Sequence, residues 1–275
     1  MKRLRNVGKH INLLLGGAIL VFFLVMMTVS FFYTPYGVEE MDIPNKLQSP
    51  SAAHLLGTDE FGRDIFSRMM KGTQTAFFVG IVAVGIGLVV GTIVGGISGY
   101  LGGWVDEIIM RVIDALMAFP GIILALMLVA VFGSGMWNTA IALGLMAIPG
   151  IARIARSGFL QTKEQDFVLA AKAMGIKPIT IMFRHILPNV SSPLIVAASI
   201  AFAVAILAEA GLSYLGLGVQ PPDPSWGRML KDSQPYLVSA PWYTYAPGVA
   251  ITLVVLGFYM LSNAISEISD PRMRD

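Results

Sequence analysis

The chain has 275 residues, 55% of them hydrophobic and 13% charged, with a mean hydropathy of +0.71. Charge at about half the level usual in soluble domains cannot coat a globule of this size, which excludes a water-soluble fold. No cysteine, three histidines and a formal net charge of +2 exclude disulfides, iron–sulfur clusters and cysteine-ligated zinc, and give no support to a nucleic-acid footprint.

In chain order, the first element is an uncharged apolar run at residues 11–32, enough for the roughly 20 residues a membrane helix needs. Lys2, Arg3, Arg5 and Lys9 before it resemble the start of a signal peptide. The run is too long for one and ends in Ser30-Phe31-Phe32-Tyr33 without a small-x-small cleavage site, so it reads as an uncleaved anchor. The outer segment 33–75 contains Leu56-Gly57-Thr58-Asp59 and Gly62-Arg63-Asp64. Gly57 and Gly62 suit turns, Thr58 or Asp59 is placed to cap the next helix, and Arg63 and Asp64, being adjacent, need separate partners. The bland alternative for this segment is a solvated, turn-rich loop.

Further spans are expected at about 76–100, 108–132, 137–151, 191–212 and 246–265. The first of these carries the small-xxx-small series Gly87/Gly91/Gly95, which permits close helix packing where lipid offers no hydrophobic drive. Pro149 and Gly150 interrupt the fourth span before Arg153 and Arg156. Arg111 and Asp114 are spaced to pair on one helix face. Glu209 is a carboxylate near the outer end of the fifth span, hence a functional candidate with a structural alternative. With the N-terminus inside, thirteen of the 19 Lys and Arg fall on inner segments and six on outer ones, so both termini are expected in the cytoplasm.

The inner loop 152–190 reads as a helical hairpin. Gln165 to Met174 are mostly good helix formers with Asp166 near the start, Gly175 fits the position just past a helix end, and Pro178 suits a new first turn. The second helix is expected to run to Pro188. Ala170, Ala171 and Ala173 leave a low surface, and exposed Ala, Val, Leu and Met on the cytoplasmic face call for a partner. The outer segment 216–245, rich in proline, with Trp226 and Trp242, reads as interfacial anchoring. Chemistry finds little purchase. Gly96-Ile97-Ser98-Gly99 has a protease-like spacing but no histidine in any span, and Gly8-Lys9 is not a phosphate-cradling loop.

At the inner loop the sequence resembles the membrane subunits of binding-protein-dependent ABC importers, whose signature is E-A-A-x3-G-x9-I-x-L-P. Ala170-Ala171, Gly175 and Leu187-Pro188 fall at that spacing, with Leu169 and His185 in the glutamate and isoleucine slots. Arg184-His185-Ile186-Leu187-Pro188-Asn189 resembles the dipeptide/oligopeptide/nickel subfamily, as do the two outer-segment blocks and Glu209-Ala210 with Leu212-Ser213-Tyr214-Leu215-Gly216-Leu217-Gly218. Pro224-Ser225-Trp226-Gly227, Pro241-Trp242 and Asp270-Pro271-Arg272 complete the series, while Gln74 and Ser262-Asn263 depart from it.

The resemblance implies an all-α, multi-pass protein of about six membrane helices with the type I importer permease fold, in the cytoplasmic (inner) cell membrane. Residues 1–75 would form an anchor and outer segment, and 76–275 a five-helix core. It implies half of a translocation pathway for peptides, with nickel or a metal–chelator complex as alternative cargo; an ATP-independent channel or carrier is the reading from another class. Implied partners are a second permease, two ATPases using ATP and Mg, and an extracytoplasmic binding protein, with no catalytic residue, metal or cofactor on this chain. Asp166, Ala170, Ala171, Lys172, Gly175, Arg184, Leu187 and Pro188 would form the coupling element, Arg111, Asp114 and Glu209 would be candidate gating charges, and Gly57, Asp59, Gly62, Arg63 and Asp64 an outer motif.

Overall fold

The computed structural model of the chain describes residues 2–269, and all regular elements among them are helical. The Asp270-Pro271-Arg272 block, with Arg272 and Arg274, lies outside the described residues. Helix α1 (Lys2–Val29) leads to an outer segment and α2 (Ile65–Leu101); α3 (Gly103–Met117) and α4 (Gly121–Phe132) follow, then α5 (Met136–Thr162) and the short inner helix α6 (Asp166–Ala173). A helix restarts as α7 (Pro178–Thr180), widens to a π-helical stretch at Ile181–Ile186, and continues as α8 (Leu187–Tyr214). An outer helix α9 (Trp226–Ser233) precedes α10 (Pro241–Ser269). Five of the described helices are long and apolar enough to cross a membrane, or six spans if α3 and α4 count as one.

Helix boundaries differ from the hydropathy reading in three instructive places. Helix α2 begins eleven residues before the expected span, because Ser67, Arg68, Thr73 and Thr75 are buried against protein rather than turned to lipid. The span expected at 108–132 is broken: α3 and α4 meet at 86°, where Pro120 lacks an N–H and disfavours helical backbone at Phe119. Helix α5 runs through Pro149 to Thr162 instead of ending there. Pro149 is buried against neighbouring helices, and such packing compensates the missing hydrogen bond.

The seam between α2 and α5 is built on glycine. A Cβ at Gly95 would lie 2.1 Å from the Ala152 carbonyl oxygen, and one at Gly99 would lie 2.6 Å from that of Arg156. The two backbones therefore touch, as the small-residue spacing predicts. On the opposite side α1 joins the core through Leu20 and Phe23, which pack with Ile206, Trp226 and Tyr243. A division at residue 75 would fall inside α2, which is one continuous helix.

Candidate functional site

Three places carry the residues that sequence reasoning singles out. At the inner face, α6 presents Phe167, Leu169 and Met174 outward, at 42%, 44% and 73% exposure. Asp166, Ala170, Lys172, Gly175, Arg184 and Pro188 are also exposed, and Leu187 is half-buried. Ala171 does not belong to this surface. It is buried with Val168 against Phe159, Ile181, Ile186 and Val190, because these two positions form the inward stripe of so short a helix. The helix ends in a Schellman arrangement: Gly175 (φ +75°) donates to the Lys172 carbonyl at 3.0 Å and Ile176 donates to that of Ala171 at 3.2 Å.

Pro178 opens the return helix, but Pro188 ends nothing. The Leu187 N–H reaches back to the Met182 carbonyl, and the chain stays helical to Tyr214. Proline at 188 cannot donate, and the wider π turn before it lets the helix pass that position without a break. Lys172 fastens the hairpin to its base: its Nζ is 3.5 Å from the Lys163 carbonyl oxygen and 5.8 Å from the Tyr100 ring centroid.

At the outer face the loop motif folds into a buried ionic cluster rather than a solvated loop. Asp59 is fully buried; its Oδ1 accepts the backbone N–H groups of Phe61 and Arg63, both at 2.9 Å, and its Oδ2 accepts Arg63 Nε at 2.6 Å. Asp59 therefore organises the turn. The cap of α2 is Asp64, whose Oδ2 accepts the Ser67 N–H and hydroxyl at 2.7 Å. Thr58 does not cap either; its hydroxyl donates to the Asn45 carbonyl at 2.6 Å.

Arg63 and Asp64 have separate partners, as their adjacency requires. Asp64 Oδ1 lies 2.9 Å from His54 Nδ1, and the His54 ring sits beside that of Tyr36. Gly62 (φ +77°) lies so close to Asp42 that a Cβ would be 1.8 Å from its carbonyl oxygen, and Gly57 is wedged against Gln48 and Trp242. Arg68, on the first turn of α2, lies 3.5 Å from Asp59. Burial raises the Glu60 carboxyl above the usual carboxylate range, and the neighbouring Asp59 charge adds to this against the pull of Arg63. Sequence reasoning misses His54, Glu60, Ser67 and Arg68, because their polar character reads as solvent exposure until the loop folds over them.

The intramembrane charges pair differently from their spacing. Arg111 bonds Glu107 one turn earlier on α3, at 2.5 Å, and Asp114 instead receives Arg153 of α5 at 2.6 Å. Asp106, which sequence reasoning does not single out, receives Arg156 across 50 positions of sequence. Glu209 is 1% exposed and accepts the Ser213 hydroxyl at 2.7 Å, and that oxygen accepts the Val219 N–H at 3.0 Å. Its partner is a serine that ties the end of α8 to the returning chain, not a cation. No group of three His, Cys, Asp or Glu that could hold a metal occurs among the described residues. An apolar cavity of about 540 Å³ opens between α2, the α3–α4 bend, α5 and α8, lined in part by Leu116, Phe119, Pro120, Met146 and Ile200.

Comparison with known proteins places this architecture. Residues 87–275 match the family described as binding-protein-dependent transport system inner membrane component. The chain is 42% identical over 270 residues to the dipeptide transport system permease protein DppC of Alkalihalophilus pseudofirmus, covering 98% of this chain and 89% of that one. It is 40% identical to the glutathione transport system permease protein GsiD of Pectobacterium atrosepticum, with 98% and 90% covered. Among solved structures, an inward-facing MetNI methionine ABC transporter chain superposes with a TM-score of 0.60 at 19% identity, covering 74% of this chain and 96% of that one, a likeness of fold. With helices able to span the membrane and a family match over most of its length, the chain belongs to the binding-protein-dependent transport system inner membrane components.

Proposed function

We propose that this chain is a permease subunit of an ATP-driven importer and forms half of a pathway for short peptides across the cytoplasmic membrane. The observation that carries the reading is the inner hairpin: a short helix pinned by Lys172 and Gly175, with Phe167, Leu169 and Met174 turned to solvent on the cationic side of the membrane. Exposed apolar groups on a rigid hairpin fit a groove in a cytoplasmic ATPase, which would use ATP and Mg to drive the cycle. The chain itself contributes packing and coupling, not hydrolysis. A second permease would complete the pathway, and an extracytoplasmic binding protein would deliver cargo to the outer face. Peptide cargo is supported by relatives of near full length named for dipeptide and glutathione transport.

The test is reconstitution of this chain with its partner subunits in proteoliposomes. Phe167→Glu is expected to lower ATP-driven dipeptide uptake about tenfold without loss of the purified chain, since position 167 is exposed. Uptake by this chain alone, without ATPase subunits, would establish a carrier instead. Competition by a nickel chelate but not by peptide would reassign the cargo.

A further inference from the structure

Helix α3 is held to the rest of the chain by a small apolar cluster, in which Ile113 packs with Ile148 and Ala152 of α5, and by charge. Ile113 is its one buried residue, while Trp104, Ile108 and Val112 are more than half exposed. Two aspartates hold it to α5. Asp106 receives the Arg156 guanidinium in a two-point fork, Nε to Oδ1 at 2.5 Å and Nη2 to Oδ2 at 2.6 Å, and Asp114 receives Arg153 at 2.6 Å. Ser98 of α2 adds a hydrogen bond to Asp106.

The second pair is about half exposed on both sides and contributes little; the first is better shielded and has the geometry in which guanidinium–carboxylate contacts are strong. Such a fork holds one orientation, yet it opens without creating a void. Between α5 and α2, by contrast, backbone touches backbone at Gly95 and Gly99, and separation would leave empty space. The contact of α5 with α3 is thus smaller and more polar than its glycine seam with α2.

The position of the fork matters as much. The far end of α3 and the bend beyond it, at Leu116, Phe119 and Pro120, line the apolar cavity. On the inner side, Lys163 reaches the Tyr100 carbonyl and Lys172 of α6 lies over the Tyr100 ring. A displacement of α6 is thus transmitted to the inner ends of α2 and α5, the two helices that supply Ser98 and Arg156 to Asp106.

We propose that Asp106 and Arg156 form the latch of an inner gate, which holds α3 against α5 beside the cavity until movement of α6 shifts Arg156 and lets α3 swing about the Ala118–Pro120 bend. The inference rests on the importer reading and assigns both residues a positioning role. The experiment uses the complete transporter in proteoliposomes. Asp106→Asn and Arg156→Gln are expected to lower ATP-driven peptide uptake about tenfold, while ATP hydrolysis persists and no longer responds to loaded binding protein. Complex yield should stay unchanged, and Glu107→Gln, which removes an exposed pair on the same helix, should behave as wild type.

Because the chain has no cysteine, an Asp106→Cys/Arg156→Cys pair can be bridged with a reducible bifunctional thiol reagent. Bridging should silence uptake and reduction should return it to the unbridged level. Wild-type coupling in the single variants, or undiminished uptake through the bridged chain, overturns the latch. Uptake by the wild-type transporter that needs no ATP overturns the importer reading itself.

Discussion

Glu60 shows how one residue in the outer cluster responds to being enclosed. One carboxylate oxygen lies 3.4 Å from Arg63 Nη2, and the other is buried with no hydrogen-bond partner among the described residues. Burial raises its pKa, so the folded chain binds a proton that the unfolded chain releases. The stability linked to that proton is complete below the ordinary carboxylate range and is lost as pH rises through the raised folded value. Glu60→Gln should remove this loss: the wild type in detergent should unfold at lower temperature as pH climbs through that window, and the variant should stay flat. Identical slopes for both chains would place the pH dependence elsewhere. The neighbouring Asp59 and Asp64 show what sequence distance conceals. Both are short acidic residues beside a turn, and only the folded backbone shows that Asp64 is the cap and Asp59 the centre of the loop.

At the scale of elements, the α2–α5 seam is where sequence spacing translates most directly into structure. Gly95→Ala would put a methyl group 2.1 Å from the Ala152 carbonyl oxygen, a backbone atom with no freedom to retreat. Overpacking of this kind typically costs about 1–3 kcal/mol, and the expected result is a lower unfolding temperature with poor recovery of folded chain. Gly85→Ala on the same helix meets nothing within 4 Å; it should be neutral or stabilising, since alanine exceeds glycine in helix propensity by about 1 kcal/mol. Equal destabilisation by both would show that the seam is not the cause. The hairpin was legible for the same reason as the seam: Gly175 and Pro178 act on local backbone, and local backbone chemistry is written in consecutive residues. The broken α3–α4 span was not, because hydropathy measures composition and is blind to the direction a helix takes after Pro120.

Across the whole molecule, Trp226 joins parts of the chain that sequence analysis treats separately. Its indole N–H donates to the Met69 carbonyl at 3.2 Å, its ring meets Phe23 of α1 edge-on at 5.6 Å, and it is 1% exposed. It is a core residue, not the interfacial anchor that its proline-rich surroundings suggest. Trp226→Ala is expected to cost about 3–5 kcal/mol and to loosen α1, α2 and α9 together. Hydrogen exchange should then rise in all three; a rise confined to α9 would show that Trp226 serves that helix alone. Apolar run lengths were enough to place the chain in a membrane and to show roughly where it crosses, and helix-end chemistry marked a glycine-punctuated hairpin, because both are local properties. Which charges pair, the burial of the outer loop, the inward face of Ala171 and the meeting of Asp106 with Arg156 emerge only once the helices are packed. Those outcomes depend on which helices lie side by side, and ionic and hydrogen-bond partners are chosen by proximity in space rather than along the chain.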